Sequence, residues 1–155
     1  MPRKLKLDID FSSDISLIAI SCHKRDFWLA MQLNEVLKFD FRRMGDLPYF
    51  HPSLKEILTY VLFYYADDNS GMCYFLVGNY NPDGKLFPEY RAADYFILVN
   101  DTMSHEQMSK IIIDAKSIKG VLTAFQTDRE KLKDLKNFIS DLELHMIDQL
   151  KTKKN

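Results

Sequence analysis

Polar and apolar residues alternate within residues 3–10, where three apolar side chains, Leu5, Leu7 and Ile9, lie between Lys4, Lys6, Asp8 and Asp10. This period of two predicts a half-buried strand. Residues 15–21, ISLIAIS, form a short apolar run without a clear period. A run of this length fits either a strand or a helical turn, and we expect it to join the helix that follows.

Helical spacing of apolar residues recurs at three places. It predicts helices over residues 23–39, 104–116 and 128–151. Ser104 with Gln107, and Thr127 with Glu130, have the spacing of capping boxes that open the second and third helices. The expected inward side of the first helix consists of Phe27, Ala30, Met31, Leu33, Asn34 and Leu37. That of the third consists of Leu132, Leu135, Ile139, Leu142 and Met146.

Runs of β-branched and aromatic residues separated by turn residues predict four further strands. The runs cover residues 56–66, 72–80, 93–100 and 120–126. Residues 42–52 contain one glycine and two prolines and predict a loop. The short turns between successive strands favour antiparallel pairing. Residues 93–126 are long enough for a parallel crossover, and an antiparallel return is the alternative.

These elements predict a single α+β domain over residues 1–155, with residues 151–155 as a frayed basic tail. We expect a mostly antiparallel sheet of about five strands with three helices packed on it. The near-continuous apolar character of the strands indicates that both faces of the sheet are covered.

Composition narrows the functional classes. The chain has 155 residues, 46% of them hydrophobic, and a formal net charge of −1. This charge does not favour a nucleic-acid partner. No apolar run reaches the ~18 residues of a membrane span, and the basic N-terminus lacks the apolar core of a secretory signal. We therefore expect a cytoplasmic protein without a membrane partner.

Metal and catalytic motifs are missing from the sequence. The two cysteines, Cys22 and Cys73, have no CxxC spacing and are expected to be reduced and partly buried, with a disulfide or metal pair as the alternative. No histidine pair has the spacing of a metal site, and no phosphate-binding glycine motif or nucleophile elbow occurs. We expect no metal and no cofactor. His51, in a proline-bounded aromatic segment, is expected to be a surface loop residue, with a ligand-binding role as the alternative.

Aromatic residues are concentrated between residues 57 and 80, a stretch without any lysine or arginine. Sheets that stack nucleic-acid bases carry basic residues among their aromatics. Core packing is therefore the favoured interpretation, and an exposed aromatic patch that binds a protein or ligand is the alternative.

The segment FPEYRAADY, residues 87–95, carries the densest set of candidate functional residues: Pro88, Glu89, Arg91, Asp94 and Tyr95. Glu89 and Asp94 are separated by five positions, so in a regular strand they point to opposite faces about 16 Å apart. An acid–base pair would need a bulge or turn between them. The structural interpretation is that Glu89 accepts backbone N–H bonds and that Asp94 pairs with Arg91 or caps a loop.

This segment resembles the motif of the IPExxxVDY family, a group of small bacterial proteins without an established activity. Pro88, Glu89, Asp94 and Tyr95 match the motif, while Phe87 and Ala93 stand where the motif has Ile and Val. The resemblance implies a bacterial cytoplasmic protein and supplies no catalytic residue.

The function we expect is that of a non-catalytic binding or protein-interaction module, with no catalytic residue assigned. Its partner would be another protein or a second copy, docked through the C-terminal helix or a sheet edge. The alternative is a small-ligand-binding protein or an enzyme whose site gathers Glu89, Arg91, Asp94 and His51 at one end of the sheet.

Overall fold

The computed structural model describes residues 11 and 15–154, with eight strands and three helices within that part of the chain. The strands are β1 Ser16–Cys22, β2 Arg42–Arg43, β3 Leu47–His51, β4 Glu56–Tyr60, β5 Leu62–Ala66, β6 Cys73–Gly78, β7 Tyr95–Val99 and β8 Val121–Gln126. The helices are α1 Asp26–Leu37, α2 His105–Lys116 and α3 Leu135–Lys154. Short 3-10 turns occur at Pro88–Tyr90 and Arg129–Lys131.

Six strands form one sheet in the order β2-β5-β6-β7-β1-β8, and β3 and β4 form a separate hairpin. Every neighbouring pair is antiparallel. Because β7 and β8 both run antiparallel to β1, they are parallel to each other. The predicted crossover is therefore of the parallel kind, and it passes over β1. The α+β class and the mostly antiparallel sheet are confirmed, with six strands in the main sheet instead of about five.

The central strands are buried on both faces, which explains their lack of polar alternation. All seven residues of β1 and all five of β7 are buried. One face packs against α1 and α2 through residues such as Leu29, Leu33 and Ile111. The other face packs against the β3–β4 hairpin and α3, where Phe138, Leu142 and Met146 are buried.

Strand β3 of the hairpin alternates strictly between buried and exposed residues, and β4 does so from Ile57 onward, which fits a two-stranded ribbon with one buried face. In β3 the buried positions are Leu47, Tyr49 and His51, and Pro48 and Phe50 are exposed. Helix α3 lies beside β3, where Asp141 Oδ2 accepts the backbone N–H of Phe50 at 3.0 Å. The helix therefore covers the open edge of the hairpin as well as the sheet.

Three predictions about strands were wrong. Residues 16–21 belong to β1 and do not join the helix, because a strand between two others needs apolar residues on both faces. Residues 42–52 include β2 and β3 in place of one loop. Residues 56–66 are two strands separated at Val61, since β4 pairs in the hairpin while β5 pairs in the main sheet.

Predictions for the second helix are confirmed and those for the third are partly wrong. Ser104 and Gln107 form both hydrogen bonds of the capping box. Thr127 instead donates its hydroxyl to the carbonyl of Leu17, and α3 begins only at Leu135. At the other end, α3 continues to Lys154, and the fraying of residues 151–155 stays a prediction.

The buried face of α1 is centred on different residues from those predicted. Phe27 and Met31 are 64% and 54% exposed, and the helix buries Leu29, Ala30 and Leu33. Of the expected α3 stripe, Leu132, Leu142 and Met146 are buried, and Phe138 joins them. The strand predicted over residues 3–10 lies outside the described residues.

Candidate functional site

A single buried amide organises the segment before β7, residues 86–94, here called the motif loop. Asn79 is fully buried. Its side chain accepts the backbone N–H of Phe87 at 2.7 Å and donates to the carbonyl of Ala93 at 2.9 Å. It also donates to the carbonyl of Tyr90 at 3.3 Å. One side chain thus replaces the regular pairing that the motif loop lacks.

Glu89 and its neighbours face the start of α3. Pro88 is the first residue of the 3-10 turn, a position where its missing N–H costs nothing. Glu89 Oε2 accepts the backbone N–H of Lys133 at 3.3 Å, and the hydroxyl of Tyr90 accepts the backbone N–H of Asp128 at 2.9 Å. Glu89 therefore accepts a backbone N–H, as predicted for it, although the donor comes from a distant segment.

Asp94 faces the other way, toward the end of β1. Its Oδ2 accepts the backbone N–H of Cys22 at 2.8 Å, and its own N–H donates to the carbonyl of Ile20 at 2.9 Å. Asp94 therefore holds the last residue of β1 by a side-chain hydrogen bond. Arg91 is exposed, and within the described residues it forms no ion pair with Asp94.

A cleft of about 630 Å³ opens beside Asp94. Its walls are residues 22–26 between β1 and α1, Val61, Gly78, Tyr80 and the pair Asp94–Tyr95. The Tyr95 hydroxyl donates to the carbonyl of Lys24 at 2.8 Å, which fixes the 22–26 segment over the sheet. Burial raises the pKa of Tyr95 to about 12, so this donor keeps its proton through the physiological range.

The 22–26 segment carries opposite charges around the cleft. His23, Lys24 and Arg25 are exposed, and Asp26 begins α1. Lys24 Nζ lies 5.5 Å from the centre of the Trp28 ring, a cation–π distance. Burial raises the pKa of the Cys22 thiol, which therefore stays protonated at neutral pH. Cys22 and Tyr95 thus contribute uncharged side chains to the cleft, and the exposed residues 23–25 form its mouth.

His51 is not the surface loop residue that the sequence predicted. It is buried in β3, and its Nε2 lies 2.8 Å from the hydroxyl oxygen of Tyr60. The Tyr60 hydroxyl donates to the carbonyl of Gly84 at 2.6 Å. The phenol has one proton, so its oxygen accepts from His51 Nε2–H. This arrangement joins the hairpin to the turn before the motif loop.

The predicted residues therefore divide among three environments. Asp94 and Tyr95 line the cleft, Glu89 contacts the segment before α3, and His51 lies inside the hairpin. The structure does not bring Glu89, Arg91, Asp94 and His51 into one site. Both cysteines are buried, and among the described residues no group of three or more His, Cys, Asp or Glu side chains is placed to hold a metal ion.

The sequence contained weak signals for two features that the interpretation missed, a buried amide and a basic run. Asn79 interrupts an apolar strand just before the NPDG turn, where a buried amide has no local partner. The HKR run at residues 23–25 stands between an apolar run and a helix. Neither signal identifies a contact, because Asn79 bonds Phe87, eight residues away, and Lys24 bonds Tyr95, 71 residues away.

Comparison of the chain with family models, curated proteins and solved structures gave no match. The resemblance of residues 87–95 to the IPExxxVDY motif therefore stays a prediction. Among the described residues, no helix combines the length and apolar character that crossing a membrane requires.

Proposed function

We propose that the protein is a non-catalytic binding module that holds a small molecule in the cleft beside Asp94. The observation that carries this proposal is the cleft itself. Its volume of about 630 Å³ falls in the range of roughly 300–1,000 Å³ typical of small-ligand sites. It combines apolar and aromatic walls with a few charged groups, the usual composition of such sites.

The cleft is also well supported by the fold. Hydrogen bonds from Cys22 to Asp94 and from Tyr95 to Lys24 hold two of its walls together. Gly78 N–H donates to the carbonyl of Val61 at 3.0 Å and fixes the third wall. A site built on strand ends in this way is pre-organised, which lowers the entropic cost of binding.

A fragment screen read out by amide NMR shifts tests the proposal. We expect binders to shift the amide signals of Gly78, Tyr80 and Tyr95. Tyr80→Ala should weaken these binders at least about fivefold, since it removes an aromatic contact worth ~1 kcal/mol or more. Tyr80 is 68% exposed, so the substitution should leave the fold intact.

Phe27→Ala is the matched control, because Phe27 is 64% exposed on α1 and does not line the cleft. Equal weakening by both substitutions, or shifts that map away from the cleft, would contradict the proposal.

A second candidate function is self-association through an apolar surface between the hairpin and α3, here called the hairpin patch. Phe50 and Ile57 are direct cross-strand partners and are 49% and 65% exposed. They share a shallow depression with Leu144, which is 67% exposed, and with Pro48. Exposed apolar side chains that adjoin in this way are typical of interaction surfaces.

A second copy is the occupant that we propose for the hairpin patch. Asp141 borders the patch on α3, and the exposed Lys55 follows the end of β3. A surface bordered by both signs of charge can pair with itself about a two-fold axis.

Ile57→Lys should then convert a dimer to a monomer in light scattering. Ile113→Lys is the control, since Ile113 is 64% exposed on α2; a monomeric wild type would overturn this candidate.

A further inference from the structure

The acidic groups of the cleft are already used by the protein's own backbone. Asp94 accepts the N–H of Cys22, and Asp26 accepts the N–H of Phe27. A cationic ligand would have to share these carboxylates with the hydrogen bonds that close the ends of β1 and α1. Carboxylates in such use are poor candidates for primary ligand contacts.

The basic side chains at the mouth of the cleft, unlike the carboxylates, are not used to bond the backbone. The side chains of His23 and Arg25 make no hydrogen bond or ion pair with any residue that the structure describes, although the Arg25 backbone carbonyl accepts the N–H of Leu29. The Lys24 backbone is held by the Tyr95 hydroxyl, and within the described residues its ammonium has a cation–π contact with Trp28 and no ion pair. Donors without a protein acceptor are available for an anionic group, and a planar guanidinium suits an oxyanion that offers two oxygens.

The lining of the cleft also includes two aromatic residues, Tyr80 and Tyr95. Tyr80 is 68% exposed, whereas Tyr95 is only 9% exposed and its hydroxyl donates to the carbonyl of Lys24. Gly78 adds no side chain between them: a Cβ there would lie 3.1 Å from Val61 Cγ1. A planar ring can therefore approach Tyr80 and stack on it.

We infer that the cleft binds a small oxyanion attached to a planar ring, with the anionic group at Lys24 and Arg25 and the ring against Tyr80. This inference rests on the proposed binding function and names the class of its ligand. Aromatic carboxylates and nucleoside monophosphates share this chemistry. They differ in ring size and in the charge of the anionic group.

Titrations followed by amide NMR shifts at low salt test the inference with four probes. Benzoate is paired with benzamide, and adenosine monophosphate with adenosine. We expect at least one anion to shift the amides of residues 23–26 and Tyr80, and to bind about tenfold more tightly than its neutral partner, which is the value of one charge-assisted hydrogen bond. The probe pair with the larger ratio of anion affinity to neutral affinity shows whether the cleft prefers a carboxylate or a phosphate.

Arg25→Gln should reduce the anion affinity about tenfold and leave the neutral partner unaffected. Arg91→Gln is the control, because Arg91 is exposed in the motif loop but does not line the cleft. Added salt should reduce anion binding in the wild type and much less in the Arg25→Gln variant.

The two levels of the proposal fail differently. Neutral and anionic probes that bind the cleft equally well, or an Arg25→Gln variant with unchanged anion affinity, would overturn the ligand class while the cleft remains a binding site. If none of the four probes and no fragment shifts the cleft amides, both the ligand class and the binding function are overturned.

Discussion

The two halves of the motif loop are close in sequence and belong to opposite faces of the sheet. Tyr90, next to Glu89, packs with the core that contains α3, whereas Tyr95, next to Asp94, lies in the core that contains α1 and α2. Glu89 is exposed, and Asp94 is partly buried. The difference shows that residues adjacent in a motif need not form one site. Where a strand begins, neighbouring side chains point to opposite faces of the sheet.

Asn79 is shared by both halves, so removing it should have the largest effect. Asn79→Ala leaves the N–H of Phe87 and the carbonyl of Ala93 without their partner inside the core. We expect a loss of about 3 kcal/mol in the free energy of unfolding, measured by urea denaturation. Asn81→Ala is the control, because Asn81 is only partly buried and bonds a turn. A loss below about 1 kcal/mol would show that the loop does not depend on this amide.

Substitution of Asp94 should cause the second-largest loss in the free energy of unfolding. Asp94→Ala removes the acceptor for the N–H of Cys22, and we expect a loss of about 2 kcal/mol, typical of a partly buried bond to a charged group. Asp94→Asn keeps an acceptor oxygen and should cost about half as much. Denaturation curves for the two variants, together with probe binding to the cleft, check this order. Equal losses would indicate that the charge, not the acceptor, stabilises the strand end.

The stability of the protein at alkaline pH should depend on Tyr95, which lines the cleft. Burial raises its pKa to about 12, above the ordinary value of 10.0. Between these values the folded chain keeps a proton that the unfolded chain loses, so this stabilisation is complete below pH 10 and declines as the pH rises toward 12. Tyr95→Phe should therefore make the fall in urea midpoint above pH 10 less steep. A slope identical to that of the wild type would contradict the proposed environment of Tyr95.

Glu89 should show the smallest effect. Its one hydrogen bond is long and lies at the surface. Glu89→Ala should change the free energy of unfolding by no more than about 0.5 kcal/mol and should leave probe binding unchanged. A thermal melt and a single titration are sufficient measurements. An effect as large as that of Asp94→Ala would break the contrast between the two halves.

Much of the fold followed from local patterns. The strands at residues 73–78 and 95–99 and the capping box at Ser104 were predictable, because turn residues and caps mark their ends. The main failure was β1. Its apolar residues face two cores at once, and a pattern without polar positions does not distinguish a central strand from a buried helical turn.

Other failures depended on distant partners. Nothing in residues 56–66 marks Val61 as a boundary, since the division arises from which strand each half pairs with. Thr127 has the spacing of a helix cap, but Leu17, 110 positions away, uses its hydroxyl. The cleft was unpredictable for the same reason: Asp94 was an evident candidate, while the 72-residue separation from Cys22 left its partner unknown.

The position of β1 between β7 and β8 has a consequence for the synthesis of the protein on the ribosome. A ribosome releases residues 16–22 before either neighbour exists, and the pairing on both sides is finished only after Gln126 is made. During that interval an uncharged, strongly apolar strand has two open edges. Such non-local pairing is slow and exposes the growing chain to aggregation. The strand that is most protected in the finished protein is therefore its most vulnerable segment during synthesis.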